Sequence, residues 1–181
     1  MAHGLKNEER RQLLGLMATG VVGSLPLLSA GAGESSATGL LVDADAEENF
    51  KPLRPGDLKI GKPQLVFPFD PKTGTLKNES RLNKLVLIRL AEDQMEEQTR
   101  SRSASGVLAY SGICTHQGCD VKTWIAKESV LACYCHASKF ALLDGAKVVS
   151  GPAPRPLPAV PLSMDGEYLS IASLFPLSPG Q

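Results

Sequence analysis

"ICTHQGCD", residues 113–120, and "ACYCHASKF", residues 132–140, together hold all four cysteines of the chain and two of its three histidines. Written out, the pattern is Cys114-x-His116-x-x-Cys119, then Cys133-x-Cys135-His136, with Ser138 close behind. Three chemistries use these residue types. Two structural disulfides would suit an exported protein, but they leave no reason for a histidine beside each cysteine pair. Zinc takes Cys and neutral His, usually in pairs with about two to four residues between cysteines or about three to five between histidines. The Cys-x-His and Cys-x-x-His pairs here do not follow that grammar. A binuclear iron-sulfur cluster with mixed ligation needs two thiolates on one iron and two neutral imidazoles on the other. Each box offers one of each, and this chemistry fits best.

The rest of the composition narrows the setting. The 181 residues are 43% hydrophobic, enough for one domain with a real core plus a tail or targeting segment. Formal net charge is zero and no Lys/Arg block interleaves with aromatics, which argues against a nucleic-acid surface. With 17 Gly, 13 Pro and many short apolar runs, the chain is expected to be turn-rich and strand-dominated.

The first 33 residues have a different character. Arg10-Arg11 precedes an apolar stretch from Leu13 to about Ala32, rich in Gly, Ala and Ser. That is the grammar of a twin-arginine export signal, the route by which folded, cofactor-loaded proteins cross the bacterial inner membrane. Ala30-Gly31-Ala32 fits a cleavage site, yet the stretch is also long enough to remain as a membrane anchor. The expected home is the bacterial periplasm, soluble or anchored to the inner membrane. Residues 34–49, polar and acidic, read as a linker, and the folded domain is expected over 50–181.

Within that domain the plain reading is a small all-β fold with antiparallel pairing. Strands are expected at 83–90, 106–113, 129–132, 139–143, 146–149 and 168–172, with turns at Asp144-Gly145 and Asp165-Gly166. The charged stretch "AEDQMEEQTRSRSAS", residues 91–105, shows no apolar face and reads as a solvated loop or short surface helix.

The two boxes resemble those of the Rieske protein family: Cys-Thr-His-x-Gly-Cys at 114–119, Cys-x-Cys-His-x-Ser at 133–138, and a proline loop, "GPAPRPLP", at 151–158. The resemblance implies the Rieske fold, small antiparallel sheets with a cluster-binding subdomain over about 110–158, and a 2Fe-2S cluster. Carried over by position, it implies that Cys114 and Cys133 bind the inner iron, and that His116 and His136 bind the outer one. It further implies a disulfide between Cys119 and Cys135 and a hydrogen bond from Ser138 to a bridging sulfide. Where many relatives have a Tyr hydroxyl aimed at a cysteine sulfur, this chain has Phe140. The expected potential is therefore intermediate within the Rieske range of about −150 to +300 mV.

Function follows from the same comparison. A ring-hydroxylating oxygenase would need a second iron held by two His and a carboxylate, and only His3 remains after the boxes. The implied role is one-electron transfer by an exported protein or subunit, not a complete enzyme, passing electrons toward a cytochrome. Two settings compete: the quinol-oxidising iron-sulfur subunit of a cytochrome bc complex, and the small subunit of an arsenite oxidase-type molybdenum enzyme. Gln117, Tyr134 and Ala137 stand where quinol-oxidising members usually carry Leu, Pro and Gly, and the polar Gln117 weakens the case for an apolar quinol-docking face. Lys122, Trp124 and Lys139 are candidate cytochrome contacts, though ordinary surface and core roles suit each of them better.

Overall fold

The structure, a computed structural model, describes residues 39–173; the export segment expected over residues 1–33 lies outside them. Eleven strands are described among these residues. They are β1 (Leu40–Asp43), β2 (Gln64–Asp70), β3 (Thr75–Leu76), β4 (Leu85–Arg89), β5 (Val107–Ser111), β6 (Thr123–Ile125), β7 (Val130–Cys133), β8 (Ser138–Ala141), β9 (Lys147–Ser150), β10 (Leu162–Asp165) and β11 (Tyr168–Ile171). A single helical turn, α1 (Glu97–Arg100), lies between β4 and β5. The strands form a seven-stranded sheet in the order β10-β11-β1-β2-β4-β5, with β3 on β2, and a four-stranded sheet in the order β6-β7-β8-β9. Ladders in both sheets are antiparallel.

The apolar run of β4 explains how the sheets share a core. Successive side chains of a strand point to opposite faces. Val86 and Ile88 enter one buried cluster with Leu131, Phe140, Cys114 and Cys133, while Leu85 and Leu87 enter another with Leu41, Val66 and Leu169. The neighbouring β5 divides in the same way, Leu108 and Tyr110 on the first side, Val107 and Ala109 on the second. These two strands are therefore a wall with a core on each face. The run "LVLI", residues 85–88, reads as apolar throughout because neither of its faces meets water.

Two expectations need correction. The linker foreseen over 34–49 contains a strand: Leu40–Asp43 pairs with β2 along its length and with β11 at Leu40↔Ser170. Leu41 and Val42 are fully buried. Three apolar residues beside an acidic stretch gave no periodic signal, so only tertiary pairing defines this strand. The segment 91–105 is exposed along most of its length but has an inner side. Met95 is buried in the same cluster as Val86 and Phe140, the Gly145 N–H donates to Thr99 Oγ1 at 3.0 Å, and Glu96 N–H donates to Leu143 O at 3.1 Å. Since Leu162 N–H also donates to Arg102 O at 3.0 Å, the segment ties the β8–β9 connection to β10.

Candidate metal centre

The first box is a loop that closes on itself. Cys114 N–H donates to Cys119 O at 2.8 Å, Gly118 N–H donates to Cys114 O at 3.0 Å, and Ile113 faces Asp120 in an antiparallel bridge. Gly118 sits at φ +75°, a left-handed conformation that a side chain would strain. The second box is the turn between β7 and β8, where Cys133 and Ser138 stand opposite each other in register. Ala137 completes that turn at φ +58°.

The two loops meet. Cys119 and Cys135 form a disulfide with Cα atoms 6.5 Å apart, joining the boxes as the resemblance implies. Cys114 and Cys133 remain free thiols, both buried in the shared core. Burial pushes the Cys133 thiol up, and the neighbouring Cys114 adds to the shift. The His116 and His136 rings meet edge to face at 88°, with centroids 4.7 Å apart. His116 Nδ1 is buried and has no hydrogen-bond partner. A buried ring nitrogen without a partner, beside a second imidazole and between loops carrying two free thiols, is a donor set suited to a metal group with mixed S and N ligation. The sulfur atoms of Cys119, Cys133 and Cys135 also lie within 4.8 Å of one another. That trio is no ligand set, because two of its members are consumed by the bridge.

The proline loop packs on both boxes. At Gly151, φ +88°, an added Cβ would lie 2.4 Å from Ser138 Cα and 2.7 Å from Ala137 O. Backbone approach this close admits only glycine. Ala153 N–H donates to the buried Ser138 Oγ at 3.1 Å, Thr115 Oγ1 donates to Arg155 O at 2.7 Å, and Ser111 N–H donates to Pro158 O at 2.8 Å. Ser138 keeps its own O–H to donate elsewhere. His136, Gln117 and Tyr134 face solvent, Tyr134 at 73% exposure. A cavity of about 170 Å³ lies against the first box, lined in part by Cys114, His116, Gln117 and Arg155.

Other sequence candidates take ordinary places. Lys139 pairs with Glu128 at 2.6 Å, and Trp124 packs against the core. Lys122 lines a cleft of about 460 Å³ together with Asp43, Arg81, Lys84 and Asp120. Three residues near the boxes escaped the sequence reading. Arg81 and Lys84 reach the end of the first box from the short turn that precedes β4, and Tyr110 donates its buried hydroxyl to Leu142 O at 2.8 Å. Nothing in the spacing of Arg81 or Lys84 marked them; Tyr110, a polar-tipped aromatic within a buried strand, carried the signal of a hydroxyl in need of a partner. Among the described residues no helix is long and apolar enough to cross a membrane.

The comparisons agree with this geometry. The profile of the family described as "Rieske [2Fe-2S] domain" matches residues 68–161. The chain is 34% identical over 146 residues to the cytochrome bc1 complex Rieske iron-sulfur subunit of Streptomyces lividans, covering 77% of this chain and 84% of that one. It is 35% identical over 144 residues to the putative respiratory nitrate reductase subunit Rieske of Haloferax mediterranei, covering 77% and 60%. Against the Streptomyces coelicolor bc1 Rieske subunit, at 34% identity, it covers only 40% of the relative's length. Among solved structures, a "Hyperthermophilic respiratory Complex III" chain aligns over 65% of this chain and 70% of its own, at 24% identity and a TM-score of 0.41. The soluble domain of Rieske protein II from Sulfolobus acidocaldarius aligns over 49% and 61%, at 26% identity and a TM-score of 0.39. With both boxes, the bridge between them and the family's profile spanning more than half the chain, the protein belongs to the Rieske [2Fe-2S] domain family.

Proposed function

We propose that this chain is the iron-sulfur electron-transfer subunit of a quinol-oxidising, bc-type respiratory complex, exported and held at the outer face of the inner membrane. The observation that carries the reading is the sorting of the cysteines: one from each box is locked in the Cys119–Cys135 bridge, and one from each box is left free beside a histidine. Cys114 and Cys133 would hold one iron, and His116 and His136 the other. A 2Fe-2S cluster held in this way supplies a site that gains and loses a single electron.

The chain's own residues do the rest. Cys114 and Cys133 lie in the shared core, which keeps water from the thiolate side. His136 is exposed, so its ring is the ligand nearest a docking partner and the place where a proton could be passed. Ser138, held by Ala153 N–H, presents its hydroxyl from the buried end of the second box. A disulfide between the loops supports an oxidising compartment, as export would provide. The matches to bc1 Rieske subunits favour the quinol-oxidising setting, with a cytochrome as electron acceptor.

Two observations favour a second reading. The exposed Gln117 beside the imidazole pair, and the match to a nitrate reductase Rieske subunit, support a role as small subunit of a molybdenum-type oxidoreductase. Purifying the native protein from membrane and soluble fractions and identifying what accompanies it separates the two. Copurification of a b-type cytochrome is expected; a large molybdenum-containing subunit in its place would reject quinol oxidation.

A further inference from the structure

Residue Lys84 holds both ends of the first box. Its backbone carbonyl accepts Gly112 N–H at 2.9 Å, just before the box, and its ammonium donates to Asp120 Oδ2 at 2.9 Å, just after it. Arg81 adds a third attachment from the same short turn: its Nη2 donates to Gly118 O inside the loop and pairs with Asp120 Oδ1 at 3.5 Å. The turn carrying both cations is itself fixed. Ser80 Oγ accepts Leu82 N–H at 3.2 Å, Lys84 N–H donates to Arg81 O at 3.1 Å, and β4 begins at the next residue. Asp120 in turn follows Cys119 directly and pairs with Ile113 across the neck of the loop.

We propose that Lys84, Arg81 and Asp120 form an ionic clamp that positions the first box on the large sheet, so that Cys114 and His116 keep their aim toward the second box. The inference deepens the reading of that loop as half of a cluster site and rests on it. The three residues are positioning residues and touch no ligand themselves.

Magnitudes decide which contact matters most. An exposed ion pair contributes little, and the Arg81 side chain is 60% exposed. Lys84 is only 20% exposed and Asp120 32%, so their pair is less screened and bears more of the load. Arg81 acts chiefly through its hydrogen bond to Gly118 O, where a charged donor fixes a carbonyl of the loop itself. The disulfide and Thr115 hold the opposite side of the box, through Cys135 and Arg155 O. Without the side-chain contacts of the clamp, the backbone bond from Gly112 N–H to Lys84 O would be left to hold that side of the loop.

The full-length protein, carrying its cluster, is compared as wild type, Lys84→Gln, Arg81→Gln, Asp120→Asn, Lys84→Arg and the double variant Lys84→Gln/Asp120→Asn. The readouts are hydrogen exchange of segments 113–120 and 85–89, the rate at which a phosphine reductant opens the Cys119–Cys135 bridge, and the midpoint potential. The clamp predicts that Lys84→Gln and Asp120→Asn each speed exchange in 113–120 and bridge reduction by roughly threefold to tenfold. The double variant should be no worse than the worse single, since both remove the same contact. Lys84→Arg should restore most of the protection, Arg81→Gln should show a smaller effect, and exchange in 85–89 should not change.

A mere charge effect gives a different pattern: the potential falls in Lys84→Gln and rises in Asp120→Asn, with exchange in 113–120 as in wild type. That result overturns the clamp, and so does an equal rise of exchange in 85–89, which would mean general destabilisation. A wild-type protein that shows no Rieske spectrum overturns the proposed function instead, because exchange and bridge reduction can still be read on the protein without a cluster.

Discussion

The His116 and His136 rings stand edge to face, 4.7 Å between centroids, although nineteen residues of chain and a whole strand pairing separate them. Each ring is carried on a turn with a left-handed residue close by, Gly118 in one and Ala137 in the other. The meeting is thus a product of two tight loops and the bridge between them, with the proline loop laid across both.

That dependence makes Gly151 the most sensitive position of the proline loop. Gly151→Ala would combine a left-handed backbone with a Cβ 2.4 Å from Ser138 Cα. We expect a loss of about 3 kcal/mol, read as a shift of the urea midpoint, with lower iron and sulfide content in the purified protein. An unchanged midpoint would show that the proline loop can lift from the second box.

The bridge can be weighed directly. Cys119→Ser should cost about 3 kcal/mol, the value for a closed loop of about this size. Wild-type protein unfolded in the presence of a strong reductant should fall to the same stability as the variant. A variant much weaker than reduced wild type would point to damage beyond the lost cross-link.

Phe140 is fully buried in the cluster that also holds Cys114 and Cys133. Phe140→Tyr should raise the midpoint potential by about 60 mV, if the new hydroxyl donates to a cysteine sulfur and favours the reduced form about tenfold. Protein-film voltammetry would measure it. No shift would mean that this side chain does not reach the sulfur.

Tyr110 supplies a pH test. Burial holds its phenol well above the usual tyrosine range. Because the folded protein binds this proton more tightly than the unfolded chain, the resulting stability is complete below about pH 10, the unfolded value, and is lost as the pH rises above it. Tyr110→Phe should cost about 1–2 kcal/mol at neutral pH by leaving Leu142 O without its donor. It should also flatten the decline between about pH 10 and 11.5 in urea unfolding curves. A variant with the same alkaline slope as wild type would assign that slope to other groups.

Much of this was visible in the sequence. Runs with strong apolar character, such as Leu85–Arg89 and Val107–Ser111, fall within the strands expected, and the Cys and His spacing led to the right family. The misses have common causes. Leu40–Asp43 is too short to show a period, and β2 carries Pro68, a residue that counts against a strand within a sheet although here it lies in register with Leu41. Met95 looked like a stray apolar residue in a charged loop because burial of one side chain leaves no pattern. The clamp could not be seen at all: Lys84 and Asp120 are far apart in the chain and of common residue types, and only the pairing of β4 with β5 brings them together.

The wall formed by β4 and β5 sets a limit on engineering. Residues 112–158 look like a portable redox cartridge, bounded by the two boxes and the proline loop. Yet the floor of that cartridge is made of Val86, Ile88, Leu108 and Tyr110, which lie outside it. Cut free, it would expose its underside to water; a transplant that is to keep its colour must bring these two strands along, and the five remaining strands of the large sheet are the part a designer could replace.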